Sequence, residues 1–86
     1  MQKKFLEKKR RKYVIATLDT PTLYLISLNG QYCFTQDIER ATKTMTRGIS
    51  EYIKREFYYN TGVNFDLVVI PLEVTYELIE ENYDKN

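Results

Sequence analysis

Thr22-Leu23-Tyr24-Leu25-Ile26-Ser27-Leu28-Asn29-Gly30-Gln31-Tyr32-Cys33-Phe34-Thr35 is the stretch from which the fold of this chain is read. Asn29 and Gly30 both tolerate positive φ, which a two-residue type I′ turn requires, so residues 22–28 and 31–35 read as antiparallel strands. The turn also fixes their register. Leu28 faces Gln31, Ser27 faces Tyr32, Ile26 faces Cys33, Leu25 faces Phe34 and Tyr24 faces Thr35. Upstream, Tyr13-Val14-Ile15-Ala16-Thr17-Leu18 is β-branched and aromatic, and Asp19-Thr20-Pro21 punctuates it, which predicts a first strand. A four-residue turn at 19–22 would pair Leu18 with Leu23. One sheet face then holds Val14, Ala16, Leu18, Leu23, Leu25, Tyr32 and Phe34, and the other holds Tyr13, Ile15, Thr17, Tyr24, Ile26, Leu28 and Cys33.

Downstream of Gln36 the apolar period changes from two to about 3.6. Ile38, Ala41, Met45, Ile49, Tyr52 and Ile53 fall on one stripe, Thr35 is a candidate cap, and Asp37 and Glu39 suit the positive end of a helix dipole. One unbroken helix over residues 36–59 would run about 36 Å and overhang strands of about 17–24 Å. Thr42, Thr44, Thr46 and Gly48 offer a break, with Thr46 as a second cap, so a short helix followed by a longer one is expected. Asn60-Thr61-Gly62 supplies a left-handed stop. Residues 65–70 read as a fourth strand, and Pro71, which has no N–H for a ladder, as an edge, bulge or corner. Residues 74–79 either extend the sheet or belong to a helix started at Leu72.

The expected architecture is α+β and two-layered. It is an antiparallel sheet of four or five strands in the order β-β-β-α-β-β, with one bent or broken helix on one face. Residues 1–12, where only Phe5 and Leu6 are apolar beyond Met1, read as a basic flexible arm. Residues 13–80 read as a single domain and residues 81–86 as a frayed acidic tail.

Eighty-six residues, 43% hydrophobic and 29% charged, suit one soluble domain with a thin core. The chain has no histidine and one cysteine, which closes internal disulfides, His/Cys zinc sites and imidazole bases. Gly30, Gly48 and Gly62 are scattered, so no phosphate-cradling loop is present. Ser27 and Ser50 lack an activating partner, and Cys33, in mid-strand beside aromatics, reads as a small buried hydrophobe. Glu56 lies in line with the apolar stripe and is an acid–base candidate if buried, but a helix end protruding past the sheet leaves it in water. The expectation is a non-enzyme without cofactor or metal. The apolar run after the basic head is broken by Asp19 and Pro21, and no stretch reaches the roughly 20 apolar residues of a membrane span. With a lone cysteine suited to a reducing compartment, a cytoplasmic location away from membranes is expected.

Two surfaces are candidates for binding. A single helix covers one sheet face, so the second, apolar and tyrosine-bearing, needs a cover: the segment 72–79, a second copy of the chain, or another protein. Tyr13, Ile15, Tyr24, Ile26 and Leu28 form the expected protein-binding patch. The other surface is electrostatic. The net charge of +1 divides into +6 over residues 1–12, zero over 13–62 and −5 over 63–86. Head and tail attract each other if the fold brings them close. The head could otherwise serve a polyanion. Arg40, Lys43, Arg47 and Lys54 fall within about 60° on a helix and, with Lys8, Lys9, Arg10, Arg11 and Lys12, could form a nucleic-acid track. The plainer alternative is a solvated face laced with the i,i+4 pairs Glu39–Lys43, Arg47–Glu51 and Glu51–Arg55.

Tyr13-Val14-Ile15-Ala16 ahead of a hairpin, followed by Phe34-Thr35-Gln36-Asp37-Ile38-Glu39-Arg40-Ala41, resembles a pattern in small accessory proteins of bacteriophages and prophages. The likeness covers roughly residues 13–59 and departs at the basic arm and the Tyr-rich C-terminal strand. It implies a strand, a hairpin, a helix and a closing strand. It also implies a non-catalytic role as an inhibitor or modulator of a host or defence protein, as anti-CRISPR proteins are. No functional residue is carried over from it.

Overall fold

The computed structural model describes residues 7–77. Strands β1 (Glu7–Thr17), β2 (Tyr24–Leu28), β3 (Gln31–Thr35) and β4 (Leu67–Glu77) form one antiparallel sheet in the order β3-β2-β1-β4. Helix α1 (Arg47–Thr61) packs on one face, which makes the chain a small α+β domain. Asn29 and Gly30 take φ of 53° and 78°, and all five pairs set by the turn are present, from Tyr24–Thr35 to Leu28–Gln31.

The β1–β2 junction departs from expectation by one residue. The expected Leu18–Leu23 pair would set Thr17 against Tyr24, but it is Ala16 that pairs with Tyr24. Thr17 N–H donates to the Leu23 carbonyl at 2.8 Å, and Leu23 N–H donates to Thr17 Oγ1 at 3.0 Å, so β1 stops at Thr17 and Leu18 is left exposed in the turn. Side chains alternate with period two, so this slip exchanges the faces of the whole strand. Ile15 and Thr17, not Val14 and Ala16, share the helix side with Leu25, Tyr32 and Phe34. The core there is Ile15, Leu25, Phe57 and Leu67, ringed by Tyr32, Phe34, Ile53, Tyr58, Val63 and Val69. Phe57 holds it together, with its ring 5.2 Å from Tyr32 and 5.7 Å from Phe34, both edge-on.

The helical region breaks where the threonines are. Ile38–Arg40 forms a single 3-10 turn, and α1 begins after Thr46, whose side chain accepts from Ile49 N–H at 3.2 Å. Gly62, at φ 70°, ends the helix, its N–H on the Tyr58 carbonyl at 2.9 Å. Because residues 38–45 are not part of α1, the expected stripe does not set its phase. Ser50 and Phe57 are its buried residues, whereas Met45, Ile49 and Tyr52 are exposed.

From the end of β3 the chain must cross β2 to reach the gap where β1 and β2 diverge. Thr42 N–H donates to the Leu25 carbonyl and Thr42 Oγ1 accepts from Ser27 N–H, while Thr44 exchanges two 2.9 Å bonds with Tyr13. Residues 42–44 thus replace the missing rungs between the two strands. Thr44 and Ser50 are buried, with hydroxyl oxygens 2.7 Å apart; Thr44 donates to the Thr46 carbonyl, so Ser50 donates to Thr44. Val14 and Ala16 face away from α1 and are nonetheless fully buried, and Ala41, in the crossing segment, is buried as well.

Strand β4 runs unbroken through Pro71, so residues 72–77 are strand and not helix. Tyr13 spends its N–H and C=O on Thr44, on the side away from β4, so Tyr13–Pro71 is a pair without mutual hydrogen bonds. The Pro71 nitrogen therefore faces the open outer edge, where no donor is needed. Residues 7–12, expected to belong to a flexible arm, are instead the first half of β1 and pair with 72–77. Residues 1–6 and the tail expected over 81–86 lie outside the described residues.

Candidate functional site

Where β1 and β4 run past the body of the domain they form a two-stranded ribbon. Lys8 faces Tyr76, Lys9 faces Thr75, Arg10 faces Val74, Arg11 faces Glu73 and Lys12 faces Leu72. Lys8, Lys9, Arg10 and Arg11 are exposed and Lys12 is half-buried. Pairing follows from sequence on both sides: Val74, Thr75 and Tyr76 favour strand, and the ladder fixed at 13–17 extends outward one rung at a time. It also brings Lys8 to Lys12 onto the strand that faces Glu73 and Glu77, with Arg11 directly opposite Glu73.

The two faces of the ribbon differ in charge. On the face shared with Val14, Lys8, Arg10 and Lys12 stand in a row beside Tyr76, Val74 and Leu72, with no carboxylate among these six. On the face shared with Ile15, Lys9 and Arg11 lie beside Thr75 and the carboxylates of Glu73 and Glu77. Successive cations on one face are two residues, about 7 Å, apart. A row of cations with no carboxylate among its cross-strand neighbours attracts anions more strongly than one whose face also carries carboxylates.

The other cations of the expected nucleic-acid track are not brought together. Arg40 lies in the 3-10 turn. The Lys43 ammonium donates to the carbonyls of Ile38, Glu39 and Ala41 at 2.8, 3.0 and 3.2 Å, which uses all three of its protons. Arg47 donates to the Val69 carbonyl at 3.3 Å with its guanidinium carbon 5.2 Å from the centre of the Tyr13 ring. Lys54 pairs with Glu51 at 3.2 Å. Lys43, Arg47 and Lys54 are thus engaged within the domain and Arg40 is exposed in the 3-10 turn, so the cations of the track that a single element brings together are the five of β1, Lys8 to Lys12.

The expected protein-binding patch is likewise divided. Ile15 lies in the core beneath α1, 2% exposed, because of the one-residue slip. Tyr13 is half-buried under Arg47, Tyr24 and Ile26 are half-buried, and Leu28 is exposed. Cys33, expected to be buried, is exposed beside Ile26 and Leu28. Glu56 is half-buried and its Oε1 accepts from Asn60 Nδ2 at 3.5 Å. Exposed apolar groups instead gather on the outer flank of α1: Ile49, Tyr52 and Tyr59, after Met45. Sequence reasoning left residues 74–79 open between strand and helix and gave Leu72, Val74 and Tyr76, the far strand of the ribbon, no part in a binding surface.

Two shallow depressions, of 290 Å³ bounded by Arg11, Pro71, Leu72 and Glu73 and of 200 Å³ bounded by Ile26, Leu28, Gln31, Tyr32 and Cys33, bring no nucleophile to a base. Among the described residues no group of three His, Cys, Asp or Glu could hold a metal, and no helix is long and apolar enough to cross a membrane. Fold and surface together define a small α+β domain with a protruding basic ribbon. No family model matches the chain, and neither a curated protein nor a solved structure does.

Proposed function

We propose that the protein is a non-catalytic binding module that holds a polyanion against its β1–β4 ribbon. The observation that carries this is the row Lys8, Arg10 and Lys12 on a ribbon face whose cross-strand partners are Tyr76, Val74 and Leu72. Counterion release makes such binding steeply salt-dependent. The experiment is retention on a heparin matrix and fluorescence anisotropy with labelled nucleic acid across a salt series. Reversing Lys8→Glu, Arg10→Glu and Lys12→Glu together abolishes both signals while the thermal melt stays in place. Lys54→Ala, outside the ribbon, changes neither. Salt-insensitive association, or binding that survives the triple reversal, would remove the ribbon from this role.

A protein partner, the role implied by the resemblance to phage accessory proteins, is the second reading. What favours it is the exposed flank of α1, where Ile49, Tyr52 and Tyr59 are 48%, 55% and 86% accessible. A host or defence protein, or a second copy of the chain, would be recognised there by apolar contact, and binding would survive high salt. Tyr52→Ser would weaken it and the ribbon reversal would not.

A further inference from the structure

Resting on the polyanion reading, we infer that the ribbon's ligand is duplex DNA, with the Lys8–Arg10–Lys12 face laid into the major groove. Shape supports this first. Six residue pairs at about 3.4 Å each give a ribbon about 20 Å long, and its strands lie about 4.8 Å apart. The major groove of B-DNA, about 12 Å wide and 8.5 Å deep, admits a two-stranded ribbon, whereas the deep, narrow major groove of an RNA duplex does not. The helix layer does not obstruct entry, since α1 packs on the Ile15 face and the cation row stands on the other.

Side-chain chemistry supports it next. Arg10 stands in the middle of the row and offers a planar fork of donors, the geometry that matches O6 and N7 of guanine. Lys8 and Lys12 flank it at two-residue spacing, and Val74, directly opposite Arg10, presents an apolar surface of the kind that meets a thymine methyl group. The face that carries the carboxylates Glu73 and Glu77 then turns away from the phosphates. A single strand is bound differently, by successive bases stacked on aromatic rings. This face presents one ring, Tyr76, among the described residues.

The test compares three labelled ligands of equal length and related sequence: a 20-base-pair DNA duplex, the corresponding single strand and the RNA duplex. The DNA duplex is expected to bind at least tenfold more tightly than either. Methyl green, which occupies the major groove, displaces the protein, and a minor-groove binder such as netropsin does not. Arg10→Ala lowers duplex affinity about tenfold with an unchanged melt, and Arg10→Lys recovers only part of it. Equal or tighter binding of the single strand or the RNA duplex, or displacement by netropsin alone, overturns the groove assignment while leaving the polyanion reading intact. Failure to bind any of the three or heparin overturns both.

Discussion

The Tyr58 hydroxyl is occupied on both sides. It donates to the Phe65 carbonyl and accepts from Leu67 N–H, each at 2.9 Å, and so ties the end of α1 to the start of β4. Removing it leaves two backbone groups without this partner, a loss of about 1–3 kcal/mol. Tyr58→Phe is therefore expected to lower the melting temperature by several degrees, at about 4–8 °C per kcal/mol for a domain of this size. Tyr59→Phe, whose ring is 86% exposed, leaves the melt unchanged. Single residues were legible in the sequence where their conformation was the signal. Asn29, Gly30, Thr46 and Gly62 each do what their chemistry requires. The double role of Tyr58 was not legible, since it depends on where β4 begins.

At the scale of elements, the phase of α1 separates what local pattern can and cannot convey. Residues 38–53 carry a regular apolar spacing, but the threonine-rich stretch inside it breaks the helix, and the surviving segment turns Phe57 and Ser50 inward. Phe57 fills the space over Ile15, Leu25 and Leu67, and that placement is tertiary information. Phe57→Ala is expected to cost about 3–5 kcal/mol, enough to unfold a domain this small, and Phe57→Leu a smaller part of that. Tyr52→Ala should stay within about 0.5 kcal/mol, as for other exposed positions. Urea titration of the three variants reads the phase directly, and a large loss at Tyr52 with a small one at Phe57 would contradict it. The β1 register escaped the sequence for a similar reason. Thr17 closes the turn with its own hydroxyl and amide, which fits the register that turns Ile15 rather than Val14 and Ala16 toward α1.

For the whole molecule, the charge asymmetry was plain in the sequence and its geometry was not. Antiparallel pairing of the first and last described strands sets the cations of β1 against the residues of β4, and the alternation of side chains sorts the carboxylates onto one face. With about 0.9 counterions released per phosphate contact, neutralising Lys8 and Lys12 to alanine is expected to flatten the slope of log affinity against log salt by about 2. Isothermal binding at four salt concentrations measures it, and an unchanged slope would place the contacts elsewhere. Strand β4 is also the end of the sheet, and its open side is poorly suited to growth. Pro71 offers no donor there, and the Val69 carbonyl is already taken by Arg47. A neighbouring molecule trying to continue the ladder meets two spoiled rungs in succession. Concentrated solutions of the protein should accordingly resist fibril formation, and replacing Pro71 and Arg47 together would remove that safeguard.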